Sequence, residues 1–100
     1  MESEYHVVLL SQALRDLDDI YGYIAGTLLE PNTAMQLIDN IEYEILSLRE
    51  MPHRCPTRRQ GIYSGKYRQL FIKNYTVIFR IDEDKKQVVV VTVRYAKSQF

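Results

Sequence analysis

Two periodicities divide this chain. From Ser11 to Leu48 apolar residues recur every three or four positions, whereas from Lys66 to Tyr95 they gather in short runs rich in Val, Ile, Phe, Tyr and Thr. The first spacing predicts amphipathic helices, and the second predicts strands with a pleated, half-buried surface. In the helical part, Leu14, Leu17, Ile20, Tyr21, Ile24 and Leu28 mark one face, with Arg15, Asp16, Asp18 and Asp19 largely between them. Ser11 is a candidate N-cap, because its hydroxyl can accept from an orphan amide of the first turn. The predicted helix has about five turns, roughly 27 Å at 5.4 Å per turn. Gly22 and Gly26 interrupt it four residues apart. They either admit a close-packed second helix or are simply tolerated at up to about 1 kcal/mol each, and the second reading is preferred.

Leu29-Glu30-Pro31-Asn32 breaks the pattern, with Pro31 suited to a first helical position. Ala34, Leu37, Ile38, Ile41, Ile45 and Leu48 then face inward, and Asp39, Glu42 and Glu44 face outward. Two such helices across a short break make a helical hairpin, which Pro52 ends. Glu4–Leu10 is a predicted first strand. Lys66–Ile72, Tyr75–Ile81 and Val88–Val93, joined by Lys73-Asn74 and by the charged turn Asp82–Lys86, are predicted to form three consecutive antiparallel strands.

Strand parity assigns the faces. Val77, Phe79 and Ile81 with Val89, Val91 and Val93 form the expected core face; Leu70 and Ile72 join them. Thr76, Ile78 and Arg80 with Val88, Val90, Thr92 and Arg94 form the expected open face, beside Gln69, Phe71 and Lys73. The fold class is therefore α+β: one small domain over residues 1–100, in β-αα-βββ order, with an antiparallel sheet packed on a helical hairpin.

Composition adds three points. A chain of 100 residues is long enough for one core, and its single Cys55 excludes an internal disulfide. It contains no apolar run of eighteen residues and no secretory-type N-terminus, so a soluble cytoplasmic protein without membrane contact is expected. The formal net charge is zero, yet residues 1–51 carry two basic against ten acidic residues, and residues 52–100 carry eleven against three. This segregation points to an interaction surface for phosphate or for an acidic protein segment. Between the helices and the long strands, His53–Ser64 is loop-like and dense in cations at Arg54, Arg58 and Arg59. His53 and Cys55 have no companions at metal-binding spacing and are taken as loop residues; no metal and no cofactor are expected. His6 is taken as an exposed strand residue.

Several spaced segments together resemble the RelE/ParE superfamily of toxins from bacterial type II toxin–antitoxin systems. They are the Leu17–Ile24 region, Met51-Pro52 followed by Arg54, Tyr67-Arg68 followed by Leu70, Asn74-Tyr75 through Val77-Ile78-Phe79 to Ile81-Asp82-Glu83, and the Val-rich strand ending Arg94-Tyr95. The resemblance covers essentially the whole chain. It implies a toxin that causes growth arrest, serves plasmid stabilisation and is neutralised by a cognate antitoxin, with operator DNA reached only through that antitoxin. Known members divide by target. Some cut messenger RNA in the ribosome as mRNA interferases, and ParE-like members inhibit DNA gyrase without an evident catalytic site.

For cleavage through a ribose 2′-hydroxyl, the acid–base work would fall to Lys73, Lys97 or Tyr95, with Arg80 and Arg94 stabilising charge. Arg54, Arg58, Arg59, Lys66 and Arg68 are the expected RNA- or partner-binding residues, although parity points Arg68 inward, where it could simply brace a strand or loop. In the comparison with nuclease members, Gln69 and Phe71 stand where an open-face arginine is expected, and Ala96 stands where one subgroup has a histidine. Lys97 keeps a cation but loses the rigid guanidinium fork. Ribosome-dependent mRNA cleavage is the first expectation. Gyrase inhibition without catalysis, and an inactive homologue retained as an antitoxin-binding module, are the alternatives.

Overall fold

The computed structural model describes residues 4–97; the end of the C-terminal tail, 98–100, lies outside them. The elements run β1 (His6–Leu9), α1 (Ser11–Gly22), a π-helical turn (Tyr23–Thr27), α2 (Pro31–Leu46), β2 (Arg68–Ile72), β3 (Tyr75–Asp82) and β4 (Gln87–Tyr95). The strands lie in the order β1-β4-β3-β2. The expected antiparallel pairing holds for β2, β3 and β4, while β1 joins β4 in parallel, so the sheet is mixed. The helical hairpin supplies the long connection that a parallel arrangement demands.

β1 is shorter than the predicted Glu4–Leu10, and it feeds directly into α1. The Leu10 amide still donates to Val90 O at 2.9 Å, while the Leu10 carbonyl already accepts from the Leu14 amide at 3.1 Å. Leu10, not Ser11, is therefore the N-cap, and no side chain caps this end. The last ladder bond decides where the helix begins. Leu14, Tyr21 and Leu28 are exposed, contrary to the expected inward face, while Ala13, Leu17 and Ile24 are buried. Only a narrow stripe of α1 meets the sheet.

The helix closes on a widened turn in which the Leu28 amide donates to Tyr23 O at 3.0 Å. A Cβ at Gly22 or Gly26 would meet nothing within 4 Å, which favours tolerance over close packing for both glycines. Pro31 opens α2 as expected, and Ala34, Ile41 and Ile45 are buried along it.

The central correction concerns β4. Ile78 pairs with Thr92 but Phe79 pairs with Val90, so Val91 is an extra residue in the ladder. Such a bulge reverses the parity of everything on one side of it. Val88 and Val90, expected on the open face, therefore sit in the core with Val77, Phe79 and Val93, whereas Val89 lies across from Arg80 on the outer face. Cys55, taken as a loop residue, is buried in the same core. Burial raises its thiol pKa above the ordinary value, against the opposing pull of Arg54 and Arg68.

Candidate functional site

The outer face of the sheet, away from the helices, is less open than parity alone suggests. Two rows cross it: Gln69–Ile78–Thr92 and Phe71–Thr76–Arg94. Ile78, Thr76 and Thr92 are each no more than 1% exposed, whereas Phe71 is 60% exposed. β-branched side chains close the middle of the face, and the working surface is displaced toward the β2 edge and the end of β4.

A cleft of about 820 Å³ opens there. Gln69, Phe71 and Thr76 form its floor, the Pro56–Gly61 segment forms one wall, and Ala96 with Lys97 forms the other. The wall is anchored to β2 by main-chain bonds. The Gln69 amide donates to Pro56 O at 3.0 Å, the Arg58 amide to Tyr67 O at 2.7 Å, and the Gly65 amide back to Arg58 O at 2.8 Å. Gly61 and Gly65 take φ of +78° and +93°, which lets the loop double back within a few residues. Tyr63 packs edge-on against Tyr67 at 5.3 Å between ring centroids. Arg58 crosses the floor: its Nη1 donates to Gln69 Oε1 at 2.9 Å and its Nε to Gln60 O at 3.2 Å.

Arg94 is positioned from the other side of the sheet. Its Nε donates to Thr92 Oγ1 at 3.0 Å. The same hydroxyl donates to the Asp16 carboxylate of α1, which also accepts from the Val93 amide at 3.0 Å. Asp16 thus takes over the edge of β4 where β1 has ended, and one carboxylate satisfies a buried hydroxyl and an orphan strand amide together.

Of the residues expected from sequence, Arg58, Arg59 and Lys97 line this cleft, and Arg94 stands in the row of its floor. Arg80 is on the same face but four residues beyond Thr76, about 13 Å along the strand. Lys66 lies in the loop outside the lining. Lys73 and Tyr95 belong to the helix side: Lys73 lies beside Ile24 and Asn40, and Tyr95 packs edge-on against Tyr75 at 5.8 Å. Burial, reinforced by Tyr95 and Tyr23, raises the Tyr75 pKa above its ordinary value.

Two arginines hold the chain together. Arg68 Nη1 donates to Cys55 O at 2.6 Å, bracing the loop as its inward parity suggested. Arg54 donates to Glu50 O at 2.7 Å and to Ser47 Oγ at 3.0 Å, at the end of the second helix. His53 faces Glu83 at 2.8 Å, and the Tyr5 hydroxyl donates to the same carboxylate at 3.1 Å, far from the cleft. Within the wall, Arg58 and Arg59 were expected from sequence, whereas Thr57 and Gln60 were not; Ala96 was considered only as the position of a missing histidine. The outward parity of Gln69, Phe71 and Thr76 was the signal that could have located the floor.

Among the described residues the cleft lining carries no carboxylate, imidazole or phenol, and no group of three metal-ligating side chains occurs. Chemically it is a cationic recess with one exposed aromatic ring. No helix among the described residues is long and apolar enough to cross a membrane.

One family model matches the chain. Residues 7–100 match the ParE toxin of the type II toxin–antitoxin system parDE. No curated protein matches the chain. Among solved structures, the chain is similar to one from the chromosomal ParDE system of P. aeruginosa, with 17% identity over 96% of this chain and 100% of that one, at a TM-score of 0.80. It is also similar to a chain of the RelBE2 toxin–antitoxin complex of Mycobacterium tuberculosis, with 19% identity over 97% and 98% of the two chains and a TM-score of 0.65. The isolated E. coli RelE toxin gives 13% identity, 95% and 87% coverage, and a TM-score of 0.61. At these identities the likeness to solved structures establishes the fold.

Proposed function

The chain belongs to the ParE toxin family of type II toxin–antitoxin systems, and from that premise we propose that it arrests growth by docking on a target protein, DNA gyrase, rather than by cutting RNA. The observation that carries this reading is the separation of the candidate acid–base residues. Lys73 and Tyr95 are directed to the helix side, while the cationic cleft on the outer face is lined by Arg58, Arg59 and Lys97 around Phe71. Proton transfer requires a donor and an acceptor within hydrogen-bond reach of one substrate atom. A recess of guanidinium groups, carboxamides and one exposed ring instead suits an acidic protein surface with an apolar anchor. A cognate antitoxin neutralises the toxin in this reading, as in the toxin–antitoxin complexes whose chains it resembles.

Ribosome-dependent mRNA cleavage is the second reading. It is favoured by Arg58, Arg59, Arg94 and Lys97 standing near an exposed phenylalanine that could stack on a base. One pair of assays separates the two. Purified chain is added to gyrase with relaxed plasmid, and separately to ribosomes programmed with a defined messenger whose 5′ ends are mapped. Inhibited supercoiling with intact message supports docking. Cuts confined to the A-site codon, with supercoiling unaffected, would replace it by the nuclease reading.

A further inference from the structure

The ladder between β1 and β4 ends where the Leu10 amide donates to Val90 O, and β4 runs on past it to Tyr95. The Asp16 carboxylate covers the edge beyond, and its bonds reach further than that edge needs. Its Oδ2 accepts from the Val93 amide at 3.0 Å and from the Thr92 hydroxyl, and its Oδ1 accepts from Gln12 Nε2 at 2.8 Å. Gln12 Oε1 in turn accepts from Arg15 Nη2 at 3.2 Å. On the far side, Thr92 Oγ1 accepts from Arg94 Nε at 3.0 Å. Five side chains thus link the solvent face of α1, over the edge of β4, to the outer face where the cleft opens.

Every donor in this chain points toward Asp16. A hydroxyl has one proton, so once that of Thr92 is committed to the carboxylate its lone pairs turn to Arg94. Thr92 is fully buried beside Ile78, where a valine would fill the space with no polar atom to satisfy. The Val93 amide accounts for the carboxylate but not for the hydroxyl. What the hydroxyl adds is a hold on Arg94. That guanidinium is half-buried opposite Thr76, in a lining that also carries Arg58, Arg59 and Lys97. Like charges drive an unanchored guanidinium away, and the Asp16 charge, one hydroxyl distant, opposes that drift.

We propose that Asp16 is a positioning residue for recognition at the cleft: acting through Thr92, it fixes the orientation in which Arg94 meets an acidic group of the docked protein. The role in recognition rests on the cleft being the docking surface, whereas the hold on Arg94 does not. The Nε–Hε NMR signal of Arg94 in the ¹⁵N-labelled full chain reads that hold without any target. It is expected as a separate, slowly exchanging signal in the wild type and in Thr92→Ser, which keeps the hydroxyl. In Thr92→Val and Asp16→Ala it should merge with the signals of exposed arginines. Thr92→Val leaves the bond from Val93 to Asp16 in place, so it decides the point even where Asp16→Ala unfolds the chain. In the gyrase assay, Arg94→Ala, Thr92→Val and Asp16→Ala should each raise the half-inhibitory concentration about tenfold, the equivalent of one charge-assisted hydrogen bond. Asp16→Ala placed on Arg94→Ala should add less than about twofold, because members of one network do not contribute independently. A merely structural Asp16 would multiply the two losses. That result, or an Arg94 signal unchanged by Thr92→Val, would overturn the proposal. A wild-type chain that leaves supercoiling untouched would instead fail the gyrase reading, and the Arg94 signal would still decide the positioning.

Discussion

The two faces of the sheet solve the same burial problem by different means. On the helix side, Val77, Phe79, Val88, Val90 and Val93 pack against Ala13, Leu17, Ile41 and Ile45, and stability comes from apolar volume. Among the described residues, no helix covers the strands on the outer face. Burial there depends on a short central cluster, Ile78 with Thr76 and Thr92, and on the hydrogen bonds that engage the Thr92 hydroxyl. The centre of one face is apolar throughout, and the other uses polar atoms to hold cations at its margin. A surface of the second kind can be altered at its rim without unfolding the protein, and that is what a recognition site requires.

Substitutions can break or sharpen this contrast. The largest effect is expected from Phe79→Ala on the helix side, where a fully buried ring is lost; urea unfolding should show a destabilisation of about 3–5 kcal/mol. A loss below about 1 kcal/mol would mean that the hairpin collapses into the space and that the core is not close-packed. Next comes Asp16→Ala, which orphans the Thr92 hydroxyl and the Val93 amide together. A cost of about 2–3 kcal/mol is expected, with faster hydrogen exchange at Val93, and unchanged exchange would show that water replaces the carboxylate there.

On the outer rim, Arg59→Ala combined with Lys97→Ala should cost less than about 1 kcal/mol of stability, since both groups are exposed at the margin of an open cleft. The same double variant should lose growth arrest while the fold, read by circular dichroism, persists. Arrest at the wild-type level would remove the cleft from the mechanism.

The smallest effect concerns pH. Burial raises the Cys55 pKa, so the neutral thiol is favoured in the folded chain. Its contribution is fully present below the ordinary thiol value of 9.0 and is lost as pH rises from there through the folded value. The melting temperature should therefore decline above that point, with the raised Tyr75 adding to the decline at still higher pH. Cys55→Ala should flatten the first part of the slope; an identical slope would assign it elsewhere.

Much of the architecture was legible from residue spacing. The two helices, the three long strands and their order are local consequences of apolar periodicity, and the Pro31 start of α2 follows from the fixed φ of proline. The inward parity of Leu70, Ile72 and Arg68 was also readable, and the bond from Arg68 to Cys55 O agrees with the bracing role suggested for it. The cleft was half legible. Arg58, Arg59 and Lys97 stand out as cations, and Tyr95 shares the inward parity of Val93, but parity put Lys73 on the open face, and the positive-φ turn it occupies carries it to the helix side.

By itself, the sequence determined the class of fold, the membership of each strand and helix, and the separation of acidic and basic halves, because propensity, periodicity and charge act over a few neighbouring residues. Tertiary structure alone decided the rest. The extra residue at Val91 reversed the faces of β4, since a bulge depends on how two strands register and not on either strand alone. The parallel docking of β1 beside β4 set where α1 begins and placed Asp16 over the uncovered strand edge. The β1–β4 pairing and the Asp16 contact join residues more than seventy positions apart, and their energies exist only once the chain has closed on itself.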